Sequence, residues 1–202
     1  FSLMAYMEAN EARQEFEAKS HEDTLTGLDS RLGFEQKVVK TLTEELPEQL
    51  EGRNTNTNTY AVIFADIDRF KLVNDRFGHD EGDRVLHKVA ECFRAQDIII
   101  PGRRQARWGG EEIVMALPWT DEAGALVVAE RVRHTIESLV KTPDGEPVTA
   151  SLGVAEGDIS EVKKLGWEAI STTIGHADHA LYRAKDSGRN KVISYHSLDQ
   201  DT

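Results

Sequence analysis

The chain has 202 residues, 39% of them apolar and 30% charged, with 36 Asp and Glu against 24 Lys and Arg for a formal net charge of -12. This length suits one domain with appendages and can bury a sizeable core, and the composition excludes disorder. The acidity argues against a broad non-specific DNA or RNA surface, although a few local cations and a metal can hold a nucleotide on an acidic protein.

Cys92 is the single cysteine, so an intrachain disulfide and thiolate metal clusters are excluded. No apolar run approaches the roughly 20 residues of a membrane span, and no signal peptide is visible. The chain opens on Phe1. The expectation is a cytoplasmic domain cut from a longer protein, with room for a membrane anchor in the part upstream.

In chain order, residues 1–22 read as a helix, with Leu3, Tyr6, Met7 and Phe16 at its apolar positions. It is read as the end of a signalling helix or short coiled coil from an upstream module, or else as an ordinary first helix. Asp23–Asp29 is a turn centred on Gly27. Arg31–Leu50 is an amphipathic helix ending near Pro47, and Glu51–Thr59 is a polar surface loop. Tyr60–Ile67 is an apolar strand, central and buried on both faces. A helix over Phe70–Phe77, a turn over Gly78–Asp83 and a helix from Arg84 to about Ala95 follow. Ile98–Ile100 is a short strand. Ala106–Trp108 and Ile113–Leu117 flank Gly109-Gly110-Glu111-Glu112 as a hairpin. Glu122–Leu139 is helical, Val148–Ala155 a strand, Trp167–Lys185 helical and Val192–Tyr195 the last strand. The order predicts a mixed α/β domain with at least one antiparallel hairpin.

Chemistry concentrates at the end of the central strand. Asp66 and Asp68 lie two apart, which puts both side chains on one face. Their position just beyond a strand is where α/β folds commonly bind ligands. Carboxylates suit Mg²⁺, Mn²⁺ or Ca²⁺. Glu111 and Glu112 could complete such a site, and the glycines beside them allow close backbone approach. Read from spacing alone, these are equally separate surface carboxylates at strand ends. Asn74 and Asp83 can read a base edge or cap helices. Lys185 and Arg189, four apart near a helix end, can neutralise phosphates or simply solvate the helix terminus.

Five blocks appear together in order: DTLTGLDSR (23–31), FADIDRFKLVNDRFGHDEGD (64–83), RWGGEE (107–112), ASLGVA (150–155) and ADHALYRAKDSGRN (177–190). On these blocks the chain resembles the GGDEF domain, the catalytic domain of diguanylate cyclases, over roughly residues 20–196. The resemblance implies an α+β fold, a central mainly antiparallel five-stranded sheet flanked by helices, similar to adenylyl cyclase and polymerase palm domains. It divides the chain into a linker helix, 1–22, and a catalytic domain, 23–202. It implies condensation of two GTP into cyclic di-GMP by a homodimer that forms at least transiently, under control of an upstream sensory module. The implied cofactor is Mg²⁺ or Mn²⁺, held by Asp66, the Ile67 carbonyl, Glu111 and Glu112, and the implied catalytic set is Glu112, Glu111, Asp66 and Asp68. Asp68 falls on the second acidic position, supporting the site or the 3′-hydroxyl. Asn74 and Asp83 fall on the guanine-binding positions, Phe70 and Lys71 on the phosphate-cradling loop, and Lys185 and Arg189 on the phosphate-binding pair.

Three features, at four positions, depart from the family pattern. Ile113 stands where the family usually has Phe, and Ser30 replaces an Asn, which implies loss of one structural hydrogen bond. Ile100 and Arg103 occupy the two motif positions of the RxxD inhibitory product site, so inhibition there should be absent or very weak. The other readings are a degenerate domain that binds GTP as a sensor, a structural dimerisation module, and a switch to ATP. Asp83 argues against the last.

Overall fold

The computed structural model describes residues 21–44, 58–95 and 102–198. The expected helix over 1–22 falls almost wholly outside the described residues, as do the Ile98–Ile100 strand and most of the 51–59 loop. Six strands form one sheet: β1 (Asp29–Ser30), β2 (Thr59–Ile67), β3 (Arg104–Arg107), β4 (Glu112–Pro118), β5 (Ala150–Asp158) and β6 (Val192–Ser194). Their order is β1-β3-β4-β2-β5-β6. The β3–β4, β4–β2 and β2–β5 pairs are antiparallel, whereas the short outer pairs β1–β3 and β5–β6 are parallel. The mainly antiparallel sheet flanked by helices is as expected, with one strand more. The addition, β1, is only two residues long and has no periodicity of its own; pairing with β3 creates it.

Among the described residues seven helices surround the sheet: α1 (Arg31–Thr43), α2 (Phe70–Phe77), α3 (His79–Arg94), α4 (Glu122–Leu139), α5 (Ile159–Leu165), α6 (Trp167–Asp186) and α7 (Tyr195–Leu198). The alternation of β2 sorts them into two layers. Ala61, Ile63, Ala65 and Ile67 face a core built with α3 and α4. Tyr60, Val62 and Phe64 face a second core with α1, α5 and α6. Every residue from Tyr60 to Ile67 is buried, Asp66 included, as the apolar strand predicted. Each large aliphatic side chain buried this way contributes about 1.5–3 kcal/mol. At Gly153 on β5 an added Cβ would lie 1.9 Å from the Ala177 carbonyl oxygen, so α6 rests directly on the strand backbone.

Several boundaries differ from the sequence reading. The expected turn at 78–83 is already helix from His79. Gly78, at φ 90°, makes the break between α2 and α3, and Asp80 and Glu81 sit in the first turn, where they favour a helix N-terminus. Gly82, the residue that argues for a turn, is required by packing instead: its Cβ would lie 1.8 Å from Asn74 Oδ1. Strand β5 starts two residues later than expected and continues to Asp158, and α5 and α7 were not foreseen. Ser30 does not simply lose a bond, because its hydroxyl caps α1 by accepting from Gly33 N at 3.1 Å. Ile113 is 1% exposed in the α3/α4 core, a place a β-branched residue fills well. Among the described residues no helix is long and apolar enough to cross a membrane.

Candidate active site at the ends of β2 and β4

The antiparallel register pairs Asp66 with Glu112 across β2 and β4, and with Ser151 across β2 and β5. The hairpin between β3 and β4 is closed by Trp108 N donating to Glu112 O at 2.8 Å, and Ile67 N donates to Glu111 O at 3.4 Å. These bonds bring Glu111 and Glu112 to the β2 end, where Asp66 lies. Gly109 makes room for Glu112, whose Oε2 would lie 2.4 Å from a Cβ there.

Asp66 is 6% exposed and its Oδ2 lies 2.7 Å from Lys185 Nζ on α6. Burial raises its pKa to about 6; Lys185 opposes the rise, and the negative charges of Glu111 and Glu112 add to it. Glu112 is likewise raised, first by burial and then by Asp178, with Lys185 and Arg31 opposing. Three carboxylates thus repel one another around one lysine.

Among the described residues no three Asp, Glu, His or Cys side chains converge into a ready-made cation cage. The donor set nevertheless fits Mg²⁺ or Mn²⁺. Such ions are typically bound by one or two carboxylates, with water and substrate phosphate completing the shell. Burial, first, and the neighbouring carboxylates, second, raise both Asp66 and Glu112, and a bound cation would favour their charged forms.

Asp68 is held differently. Its Oδ1 accepts from Ser151 Oγ at 2.6 Å; its Oδ2 accepts from Thr149 Oγ1 at 2.7 Å and from Asn190 N at 3.0 Å. The two aspartates, two residues apart, therefore have two separate sets of partners.

The remaining candidates fall into three groups. Asn74 is half-buried on α2 and lies over Gly82, next in sequence to exposed Asp83 on α3. Phe70 is 7% exposed and its side chain belongs to the core, which leaves only its backbone for the expected phosphate contact. The N-terminus of α2 has Arg69 as its cap residue, at φ 56° and with no side-chain cap, which leaves the amides of Phe70 and exposed Lys71 without an intrahelical acceptor, whereas Leu72 N donates to Arg69 O at 2.9 Å. Arg189 is exposed and lines a cleft of about 340 Å³ with Asp68, Arg69 and Arg76, whereas Lys185 is committed to Asp66. Arg103, the described half of the two inhibitory-site departures, is half-buried and donates to the Arg94 carbonyl at 3.3 Å.

Four residues given no role by sequence reasoning also bear on this region. Arg107 donates to Gly110 O at 2.8 Å and to Asp23 at 3.2 Å, tying the 23–29 turn to the Gly-Gly hairpin. Asp23 is held below the usual carboxylate range: burial would raise it, but hydrogen bonds from Thr26 and the charge of Arg107 outweigh that. Arg31 stacks its guanidinium 4.4 Å from the Trp108 ring centre and offsets the rise in Glu112. Asp178 acts on Glu112 from seven residues before Lys185, two helical turns along the same face of α6, a spacing that could have flagged it.

A palm-like sheet with clustered carboxylates at its strand ends and a lysine from the packed helix defines the class of domain. The family described as "Diguanylate cyclase, GGDEF domain" matches residues 20–191, and the chain belongs to that family. It is 35% identical over 192 residues to Diguanylate cyclase DgcM of Escherichia coli K12, covering 93% of this chain and 41% of that protein. It is 33% identical over 177 residues to Diguanylate cyclase A of Treponema denticola, covering 85% of this chain and 44% of that protein. The chain thus spans less than half the length of these relatives. Among solved structures, the GGDEF domain of DgcB from Caulobacter crescentus in complex with c-di-GMP superposes with a TM-score of 0.69 at 30% identity, covering 88% of this chain and 96% of that one.

Proposed function

We propose that this domain is a diguanylate cyclase, joining two GTP into cyclic di-GMP with release of two pyrophosphates. The observation that carries the proposal is the buried Asp66 in register with Glu112, two carboxylates side by side at one strand end. Asp66, Glu111, Glu112 and the Ile67 carbonyl would hold Mg²⁺ or Mn²⁺. When bound, the ion supplies charge screening of the triphosphate and a lowered pKa for a 3′-hydroxyl.

The protein's own residues do the rest by positioning and charge. Asn74 and Asp83 hold the guanine edge. The open amides at the start of α2, with Lys71, Lys185 and Arg189, receive phosphate oxygens. Glu112, with its raised affinity for a proton, sits where the 3′-hydroxyl proton must leave. Asp68 supports these groups through Ser151, Thr149 and Asn190 and touches no reacting atom. In each half-reaction the 3′-oxygen of one GTP bonds to the α-phosphorus of the other. The bond from that phosphorus to the bridging oxygen breaks, and pyrophosphate departs with the electron pair. Two such steps close the ring, so two domains must face each other, each carrying one GTP.

The test is incubation of the purified chain with GTP and Mg²⁺, with nucleotides resolved by chromatography. Cyclic di-GMP and two pyrophosphates per product are expected. A chain that binds GTP but releases no pyrophosphate is a GTP-binding sensor instead, a reading favoured by the Lys185–Asp66 pair, in which the lysine already occupies the place of a cation.

A further inference from the structure

The turn after α6 is an unusual piece of backbone. Gly188, Arg189 and Asn190 have φ of 112°, 65° and 46°, three successive positive values, two of them on residues with side chains. Such a run is disfavoured for L-residues and persists only where neighbours over-determine it. Here Asn190 is bonded through three groups. Its backbone N donates to Asp68 Oδ2 at 3.0 Å, its Nδ2 donates to Glu137 Oε1 at 2.9 Å, and its Oδ1 accepts from Arg133 Nη1 at 2.7 Å. Arg133 is itself fixed on α4: its Nε donates to Glu130 at 2.8 Å and its Nη1 to Glu137 at 3.0 Å, and the residue is 9% exposed. The turn is therefore fastened on one side to the end of β2 and on the other to α4. The residue between the glycine and the fastened Asn190 is Arg189, whose side chain is exposed on the cleft that Asp68 and Arg69 also line.

We infer that Arg133 and Asn190 are positioning residues for the nucleotide triphosphate: together they lock the 188–190 turn in its left-handed path and so present Arg189 to the phosphates. This rests on the reading of Arg189 as a phosphate ligand. A long cationic side chain on a free turn would lose conformational freedom on every binding event, and a turn locked in advance removes part of that cost. The clamp reaches Arg189 only through the backbone, so its effect falls on phosphate binding and leaves the guanine edge, read from α2 and α3, untouched.

The test uses 3′-deoxy-GTP, which lacks the attacking hydroxyl, and guanosine, which lacks phosphates, each titrated with Mg²⁺ against the whole chain. Asn190→Gly deletes the side-chain clamp while suiting the left-handed backbone and retaining the N–H to Asp68. Arg133→Ala removes the clamp from the other side, with Arg133→Lys as its conservative partner. Asn190→Gly and Arg133→Ala should each weaken 3′-deoxy-GTP about tenfold and guanosine less than twofold, and Arg133→Lys should recover part of the loss. Arg189→Ala should lose at least as much, and adding Asn190→Gly to it should cost little more. Unchanged 3′-deoxy-GTP affinity in Asn190→Gly, losses that add to that of Arg189→Ala, or equal weakening of guanosine would each overturn the inference while leaving the cyclase reading standing. An Arg189→Ala variant that binds 3′-deoxy-GTP as tightly as the parent would remove the phosphate role of Arg189, and the inference with it. Thermal melts of every variant separate loss of affinity from loss of fold. If Arg133→Ala does not fold, Asn190→Gly decides.

Discussion

At the end of β2, Asp66 and Asp68 stand two residues apart and are 6% and 7% exposed, yet the protein surrounds them differently. Asp68 receives two hydroxyls and one backbone amide, and through Asn190 it is joined to Arg133 and Glu137 on α4. Asp66 receives one lysine and is pressed by the charges of two glutamates. The first arrangement compensates a buried charge with hydrogen bonds, which is how buried charges become structural. The second leaves charge undercompensated, and undercompensated charge at a strand end is what a ligand can relieve. One half of the strand end is satisfied by hydrogen bonds as it stands; the other is where, on the cyclase reading, an ion would sit.

The sharpest way to break this comparison is to alter each half and ask which property falls. Glu112→Gln keeps nearly all the volume and removes the charge. On the cyclase reading, GTP-dependent pyrophosphate release should drop by about 10³-fold or more, on the order of 4 kcal/mol in the barrier, with the melting temperature held or raised. An active variant would take Glu112 out of the chemistry. Asp68→Asn is the converse. It turns an amide NH₂ toward groups that are themselves donors, so about 3 kcal/mol of stability should be lost, or roughly 6–12 °C in melting temperature for a chain of this size. A melt unchanged within a degree would show that the three bonds do not hold the strand end.

Asp66 gives a pH signature of its own. Its folded-state pKa is raised to about 6 from 3.8, so between these values the folded chain holds a proton that the unfolded chain has released. Stability from this group is therefore present below about pH 3.8 and declines as pH rises to 6. The difference in unfolding free energy between parent and Asp66→Asn, followed in chelator by denaturant titration, should change by about 2–3 kcal/mol across that window. Added Mg²⁺ should stabilise the parent more at pH 8 than at pH 5, because the ion competes with that proton. A flat difference curve would mean that Lys185 already neutralises the group.

Asp83→Ala lies outside both halves and should weaken GTP by about 1–3 kcal/mol through the lost base-edge bond, measured by calorimetry. Equal affinity would remove it from the base site. The smallest effect expected is none: added cyclic di-GMP at subsaturating GTP should not inhibit through the position of Arg103, since a guanidinium cannot accept the hydrogen bonds a carboxylate would. Strong inhibition that survives Arg103→Ala would reveal a product site elsewhere.

The sequence alone determined the sheet's centre, because the apolar run from Tyr60 to Ala65, short and bounded by polar residues, reads as a strand covered on both faces. It also determined the glycine hairpin, the long helices over Glu122–Leu139 and Trp167–Lys185, the second observed one residue longer, and the list of charged residues worth watching, since these are local patterns of period and residue type. Only the tertiary structure decided the rest. The helix from His79 and the two-residue β1 depend on Asn74 packing over Gly82 and on pairing with β3, neither visible in a local window. The different partners of Asp66 and Asp68 were likewise invisible: Lys185 lies 119 residues from one, and Asn190 122 residues from the other, with Thr149 and Ser151 more than 80 away. Residue type and spacing can nominate a carboxylate. Whether it is satisfied or left wanting is set by which distant donors the folded chain brings within about 3 Å, and that is a property of packing.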